Sequence, residues 1–137
     1  MPLVRIDITR GRTPAEVRAL ADAVHEAIVE TYGIPPRDRF QIVTQHDPGE
    51  IIAEDAGLGF DRTDDEVVIV HVFTQRGRDD SIKQRLYSRI AERLGGVGIA
   101  GSDVFIGYVE NGPQDWSFGF GRAQYLTGEL AVPQSAS

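Results

Sequence analysis

One pattern, written twice, constrains this chain more than anything else in it. Leu3-Val4-Arg5-Ile6-Asp7-Ile8 alternates apolar and polar residues, as a half-buried strand does. Thr13-Pro14-Ala15-Glu16 then supplies a helix start: a capping hydroxyl, a proline suited to the first turn, and a glutamate that completes a capping box. Val17, Leu20, Ala21, Val24 and Ile28 follow at helical spacing and form one apolar face. Gly33 ends the helix, Pro35 and Pro36 prevent its resumption, and Phe40-Gln41-Ile42-Val43 reads as a second strand. After a connector rich in Gly, Asp and Pro, with a short apolar stretch at Ile51 and Ile52, the sequence does the same again. Val67 to Phe73 is a strand apolar enough for burial on both faces. Asp79 or Asp80 can cap a helix carrying Ile82, Leu86, Ile90 and Leu94, Gly95-Gly96 stops it, and Val104 to Val109 is the closing strand.

The halves share a further detail. Arg10-Gly11-Arg12 and Arg76-Gly77-Arg78 each fall where the first strand gives way to the helix, 66 positions apart. Two copies are too few for a solenoid and point to a duplicated unit. Parallel strand–helix–strand crossovers are right-handed. The economical arrangement is therefore α+β: a duplicated β-α-β unit folded as a two-layer sandwich, with one mixed sheet, both helices on one face and the units antiparallel about a pseudo-twofold axis. We expect a single domain over 1–137, with repeat units at about 2–44 and 66–110 and a C-terminal segment at about 116–132. Within that segment Ala123-Gln124-Tyr125-Leu126 is a strand candidate that would extend the sheet or reach a neighbour. The far face of the sheet would be left apolar, so self-association is expected.

Composition narrows the chemistry. A formal charge of −7, from 14 basic and 21 acidic residues, argues against a nucleic-acid partner. No apolar run approaches the roughly 20 residues a bilayer requires, and the first residues lack a secretory layout, so a cytoplasmic protein is expected, with no membrane partner. Without cysteine there is neither a disulfide nor a thiolate metal site. His25, His46 and His71 have no ligand-like spacing, and no metal is expected. The glycine clusters lack the context of a phosphate loop, and no serine sits in a nucleophile elbow.

Several stretches, taken together and in order, resemble the malonate semialdehyde decarboxylase family of the tautomerase superfamily. They are Met1-Pro2-Leu3, Gly33 to Phe40, Gln45 to Glu50, Glu54 to Gly59, Arg76-Gly77-Arg78, Asp115 to Gly121 and Thr127-Gly128, which span the chain from Pro2 to about Leu130. The resemblance implies the duplicated β-α-β tautomerase fold and a homotrimer. It also implies catalysis by an amino-terminal proline with no metal or organic cofactor, on a small carboxylate that bears an aldehyde or keto group.

The expected topology says where these residues fall. Pro2 begins the first strand, and Asp38 lies at the start of the parallel second strand. The second unit runs the other way, so its first strand delivers Arg76 and Arg78 to that same end. Arg10, Arg12 and Asp103 gather at the opposite end, where no free amine is available. Read from the residues alone, Pro2 is either a strand start that needs no N–H or, once Met1 is removed, a secondary amine. Asp38 either holds a turn or orients that amine or activates water. Arg76 and Arg78 are either a solvated loop pair or two forks that grip a carboxylate. Trp116, Phe118 and Phe120 alternate as packing residues or as an apolar wall of the substrate site, to which Leu126 would add. The resemblance favours the functional reading: catalytic Pro2, Asp38, Arg76 and Arg78 against a wall of Trp116, Phe118, Phe120 and Leu126. The activity it implies is decarboxylation of malonate semialdehyde. Hydration or dehalogenation of unsaturated acids, keto–enol tautomerisation of 2-oxo acids, and a non-catalytic signalling or binding protein are the alternatives.

Overall fold

The structure is a computed structural model that describes residues 2–132. Its elements run β1 (Pro2–Thr9), α1 (Pro14–Tyr32), β2 (Phe40–His46), β3 (Val68–Gln75), α2 (Asp80–Gly95), β4 (Val104–Asn111) and the one-turn α3 (Gln124–Thr127). The four strands form one sheet in the order β2-β1-β3-β4. β1 runs parallel to β2, β3 parallel to β4, and β1 antiparallel to β3. This is the duplicated β-α-β arrangement with both helices on one side of a mixed sheet.

Local chemistry accounts for each boundary. Thr13 caps α1 through its hydroxyl while the Glu16 carboxylate reaches back to the Thr13 N–H, so both halves of the capping box are present. Gly33 closes the helix at φ 65°, a left-handed conformation that glycine adopts without the penalty a Cβ would bring. Of the two aspartates offered as caps for α2, Asp79 is the N-cap and accepts from the Ile82 N–H.

Between sheet and helices lies one core. Val4, Ile6 and Ile8 of β1 and Val68, Val70 and Val72 of β3 meet Leu20, Val24 and Ile28 of α1 and Leu86, Ile90 and Leu94 of α2. Each such side chain, fully removed from water, contributes roughly 1.5–3 kcal/mol of transfer free energy. The helices are also laced together, Arg89 pairing with Glu30 at 3.2 Å and Arg93 with Glu26 at 3.4 Å. Strand register puts Leu3, Phe40, Phe73 and Val109 in one row on the opposite face, with Ile42, Ile69 and Phe105 in the rows below. Phe40, Ile42, Phe105 and Val109 are all more than two-fifths exposed there, so this face carries uncovered apolar side chains within one chain, with Arg5, Asp7 and His71 set among them.

The C-terminal segment corrects the sequence reading in two places. Ala123–Leu126 is not a strand: Gln124–Thr127 is a single helical turn, closed by Gly128 at φ 84°. Trp116, Phe118 and Phe120 do not share a strand either. Gly119 at φ 156° and Phe120 at φ 59° reverse the chain, leaving only a Gly119–Arg122 bridge. Four alternating residues among glycines are too few to fix an extended conformation once those glycines take positive φ.

Candidate active site

Register brings the first pieces together. Pro2 stands opposite Thr74 in the β1–β3 pair, and Leu3 stands opposite Phe40 in the β1–β2 pair. Asp38 lies two residues before Phe40, so the start of β1, the entry to β2 and the end of β3 meet at one end of the sheet. Pro2 is buried there. Met1, whose removal would free the Pro2 nitrogen, lies outside the described residues.

Asp38 sits on a turn fixed from two sides. Its N–H donates to the Pro35 carbonyl at 2.9 Å, and the buried His25 ring donates from Nε2 to the Pro36 carbonyl at 2.8 Å. A carbonyl can only accept, which sets the hydrogen on Nε2. Burial pushes the Asp38 carboxyl above the usual aspartate range, against the positive fields of Arg78 and of His25 when protonated.

The two arginines part company. Arg78 is 8% exposed and, with Thr74 and Gln75 at the end of β3, one of five buried polar or charged residues among those described. Its Nη1 lies 3.4 Å from the Thr74 hydroxyl and its guanidinium lies over the Tyr32 ring. Among the described residues no carboxylate comes within ion-pair distance of it. Arg76 is exposed, and its backbone N–H is bonded to the Asn111 carbonyl at 2.7 Å. Gly77 between them takes φ 137°, in the region that favours glycine, and the two side chains differ in burial.

A pocket of about 870 Å³ opens beside Asp38 and Arg78, walled by Phe40, Phe118, Tyr32 and Tyr125. The expected wall is present in part. Phe118 lines the pocket, and Trp116 stacks behind it with ring centroids 6.1 Å apart and an interplanar angle of 7°. The Trp116 indole N–H is held by Asn111 at 2.8 Å. Phe120 is 93% exposed and Leu126 is 64% exposed, and neither lines the pocket within one chain.

Three aromatic residues had escaped the sequence reading. Phe40 is packed against Phe118 with centroids 5.9 Å apart. Tyr125 is buried edge-on against Phe118 at 5.3 Å, and its hydroxyl is hydrogen-bonded with Gln75. Burial first, and the nearby Asp38 charge second, push that phenol up to about 12, so it stays protonated. Tyr32 is the third. Its only sequence signal is its place before Gly33, which reads equally well as a helix end.

The arrangement is a buried cation and a half-buried carboxylate on an apolar-walled pocket, with the strand-start proline buried at the same end of the sheet but not among the residues that line the pocket. Such a site can hold a small acid by its carboxylate while a neighbouring group works on its carbonyl. Fold and site thus define a duplicated β-α-β protein with a pocket that holds Asp38 and Arg78 at the end of the sheet where β1 begins and β3 finishes.

Comparison with known proteins agrees. Two family profiles, each described as tautomerase enzyme, match residues 2–61 and 38–119. The probable tautomerase YrdN of Bacillus subtilis (strain 168) is 44% identical over 131 residues, covering 95% of this chain and all of that one. The solved structure of FG41 malonate semialdehyde decarboxylase inhibited by 3-bromopropiolate superposes with a TM-score of 0.93 at 62% identity, over 96% of this chain and 99% of that one. A second malonate semialdehyde decarboxylase, described for its decarboxylase and hydratase activities, gives a TM-score of 0.89 at 42% identity over 94% and 99% of the two chains. This chain belongs to the tautomerase superfamily.

Proposed function

We propose that this protein decarboxylates malonate semialdehyde (3-oxopropanoate) to acetaldehyde and carbon dioxide, using the amine of Pro2 once Met1 is removed and no cofactor. The observation that carries the reading is Arg78: a buried guanidinium, unpaired with any described carboxylate, facing a pocket that also holds Asp38. A buried cation without an anionic partner is costly, and a substrate carboxylate offsets that cost. Likeness to two malonate semialdehyde decarboxylases over nearly the whole chain supports the choice of substrate.

In this reading Arg78 orients the substrate carboxylate so that the breaking C–C bond aligns with the carbonyl π system. Pro2 supplies the electron sink. As an ammonium it hydrogen-bonds the aldehyde oxygen and stabilises the enolate that forms as carbon dioxide leaves. As a free amine it condenses with the aldehyde, releasing water, and the iminium becomes an enamine on loss of carbon dioxide. Protonation at carbon, followed in the second case by hydrolysis, gives acetaldehyde. Asp38 holds the Pro2 nitrogen or a water beside it, and Arg76 approaches the substrate from the solvent side. Phe118, backed by Trp116, keeps water from the developing charge.

Assembly belongs to the same proposal. A homotrimer would cover the apolar sheet face, and Phe120 and Leu126 would serve a neighbouring copy's site. The protein would act in the cytoplasm.

A second reading has its own observation. The pocket of about 870 Å³ is far larger than a three-carbon acid, so keto–enol tautomerisation of a 2-oxo acid with an apolar substituent is the runner-up. Proton NMR with malonate semialdehyde tests the first reading. Acetaldehyde should accumulate with the wild-type protein and not with Pro2→Ala, and equal rates in both would remove Pro2 from the mechanism.

A further inference from the structure

The pair Tyr32–Tyr108 has no part in the chemistry above, yet it is built against the residue that carries it. Tyr32 is the last residue of α1 and Tyr108 lies on β4, far apart in sequence, and their hydroxyls meet at 2.8 Å. The Arg78 guanidinium carbon is 4.3 Å from the centroid of the Tyr32 ring. Tyr108 is itself braced: Tyr87 of α2 meets it edge-on at 6.4 Å, and the Lys83 ammonium, paired with Glu110, lies 4.9 Å from its ring centroid.

We infer that Tyr32 is a positioning residue for Arg78: its ring face, locked by the hydroxyl bond to Tyr108, is the support that presents the guanidinium to a substrate carboxylate. Arg78 loses water on burial, and the only side-chain hydrogen bond it makes among the described residues is the long 3.4 Å contact to Thr74. Cation–π attraction supplies a favourable partner for a desolvated guanidinium without occupying its N–H donors. A carboxylate in place of the ring would consume the same donors the substrate needs. The aromatic face therefore tolerates the empty site and leaves the fork free for a bidentate grip.

The ring is also held in place, a smaller effect than its presence. Tyr32 ends its helix, and terminal turns fray. The Tyr108 hydroxyl ties that end to β4, while Gly33 carries the chain on to the Asp38 turn. One side chain thus couples the helix end, the last strand and the guanidinium. Burial raises the Tyr32 phenol well beyond its ordinary value, so the bridge between the hydroxyls persists at any working pH.

This inference rests on reading Arg78 as the carboxylate grip, and the test separates the two. Malonate, an unreactive dicarboxylate, is titrated by calorimetry into the wild-type protein and into Arg78→Ala, Tyr32→Leu and Tyr32→Phe, each checked for an intact fold by circular dichroism and melting. We expect Tyr32→Leu to weaken malonate binding about tenfold. Tyr32→Phe, which keeps the ring, should recover affinity to within about threefold. With malonate semialdehyde the loss in Tyr32→Leu should fall mainly on KM. If Tyr32→Leu does not fold, stepwise fluorinated phenylalanines at position 32, which drain the ring face while keeping its shape, should weaken binding progressively. Malonate bound equally by wild type and Arg78→Ala would overturn the grip and this inference with it. Binding that needs Arg78 but is indifferent to Tyr32→Leu, or to fluorination, would overturn this inference alone.

Discussion

Pro2 stands directly across the β1–β3 ladder from Thr74, whose hydroxyl lies 3.4 Å from Nη1 of Arg78. One ladder position and one side-chain contact therefore relate the strand-start proline to the buried guanidinium. That relation lets the proposed amine and the proposed carboxylate grip address opposite ends of one small substrate.

The arginines should not be equivalent. Arg78→Ala is expected to lower kcat/KM for malonate semialdehyde by about a hundredfold, within the range of a lost charge-assisted contact of about 1.5–3 kcal/mol. Arg76→Ala, at an exposed position, should cost about tenfold. Steady-state kinetics on both variants checks the order, and equal small losses would place both arginines outside the site.

Asp38 trades stability for function. Its carboxyl is raised above the ordinary 3.8 by burial, so the folded protein binds that proton more tightly than the unfolded chain does. The stability it contributes is present below 3.8 and is lost as pH rises through the folded value. At neutral pH the buried anion is a cost. Asp38→Asn should therefore melt at a higher temperature than wild type at pH 7, with that advantage shrinking toward pH 4, while turnover falls at least about tenfold. Calorimetric melts across pH beside a turnover assay check both halves.

The loop that delivers Arg78 is anchored by the very next residue. Asp79 caps α2, and its carboxylate is held below the ordinary range first by the Ile82 N–H. Asp79→Ala should lower the midpoint of a urea titration. Its effect should fade as pH falls through the depressed value, where the wild-type carboxylate is protonated and the cap weakens.

The open face of the sheet should be where copies meet. Phe105 and Val109 project from β4 on that face, each 49% exposed. Sedimentation velocity should give a trimer for wild type and dissociation for Phe105→Asp or Val109→Asp, since a buried unpaired carboxylate opposes association strongly. A wild-type monomer would leave the apolar face without its proposed cover.

Much of this could be read from the residues because the informative signals are local or topological. Alternation in Leu3–Ile8, the capping box at Thr13 and the stop at Gly33 fix the first unit, and the repeat of that grammar fixes the second. Parallel pairing within units and antiparallel pairing between them carries Pro2, Asp38 and Arg78 to one end, without any knowledge of side-chain contacts. What stayed hidden depends on tertiary packing. Arg76 and Arg78 look alike in sequence, and only the folded chain leaves one exposed and buries the other. Tyr32 and Tyr125 read as ordinary helix and strand residues until the C-terminal segment folds back over Phe118. The same segment misled because an aromatic alternation says nothing of the positive φ at Gly119 and Phe120 that ends it.

The most direct test of the account is mass-spectrometric peptide mapping of the purified protein after incubation with 3-bromopropiolate, an electrophilic carboxylate. The account predicts that the first peptide begins at Pro2 and carries the adduct on its nitrogen, and that Arg78→Ala slows the labelling. Retained Met1, or an adduct found instead on Lys83, the one lysine in the chain, would contradict it.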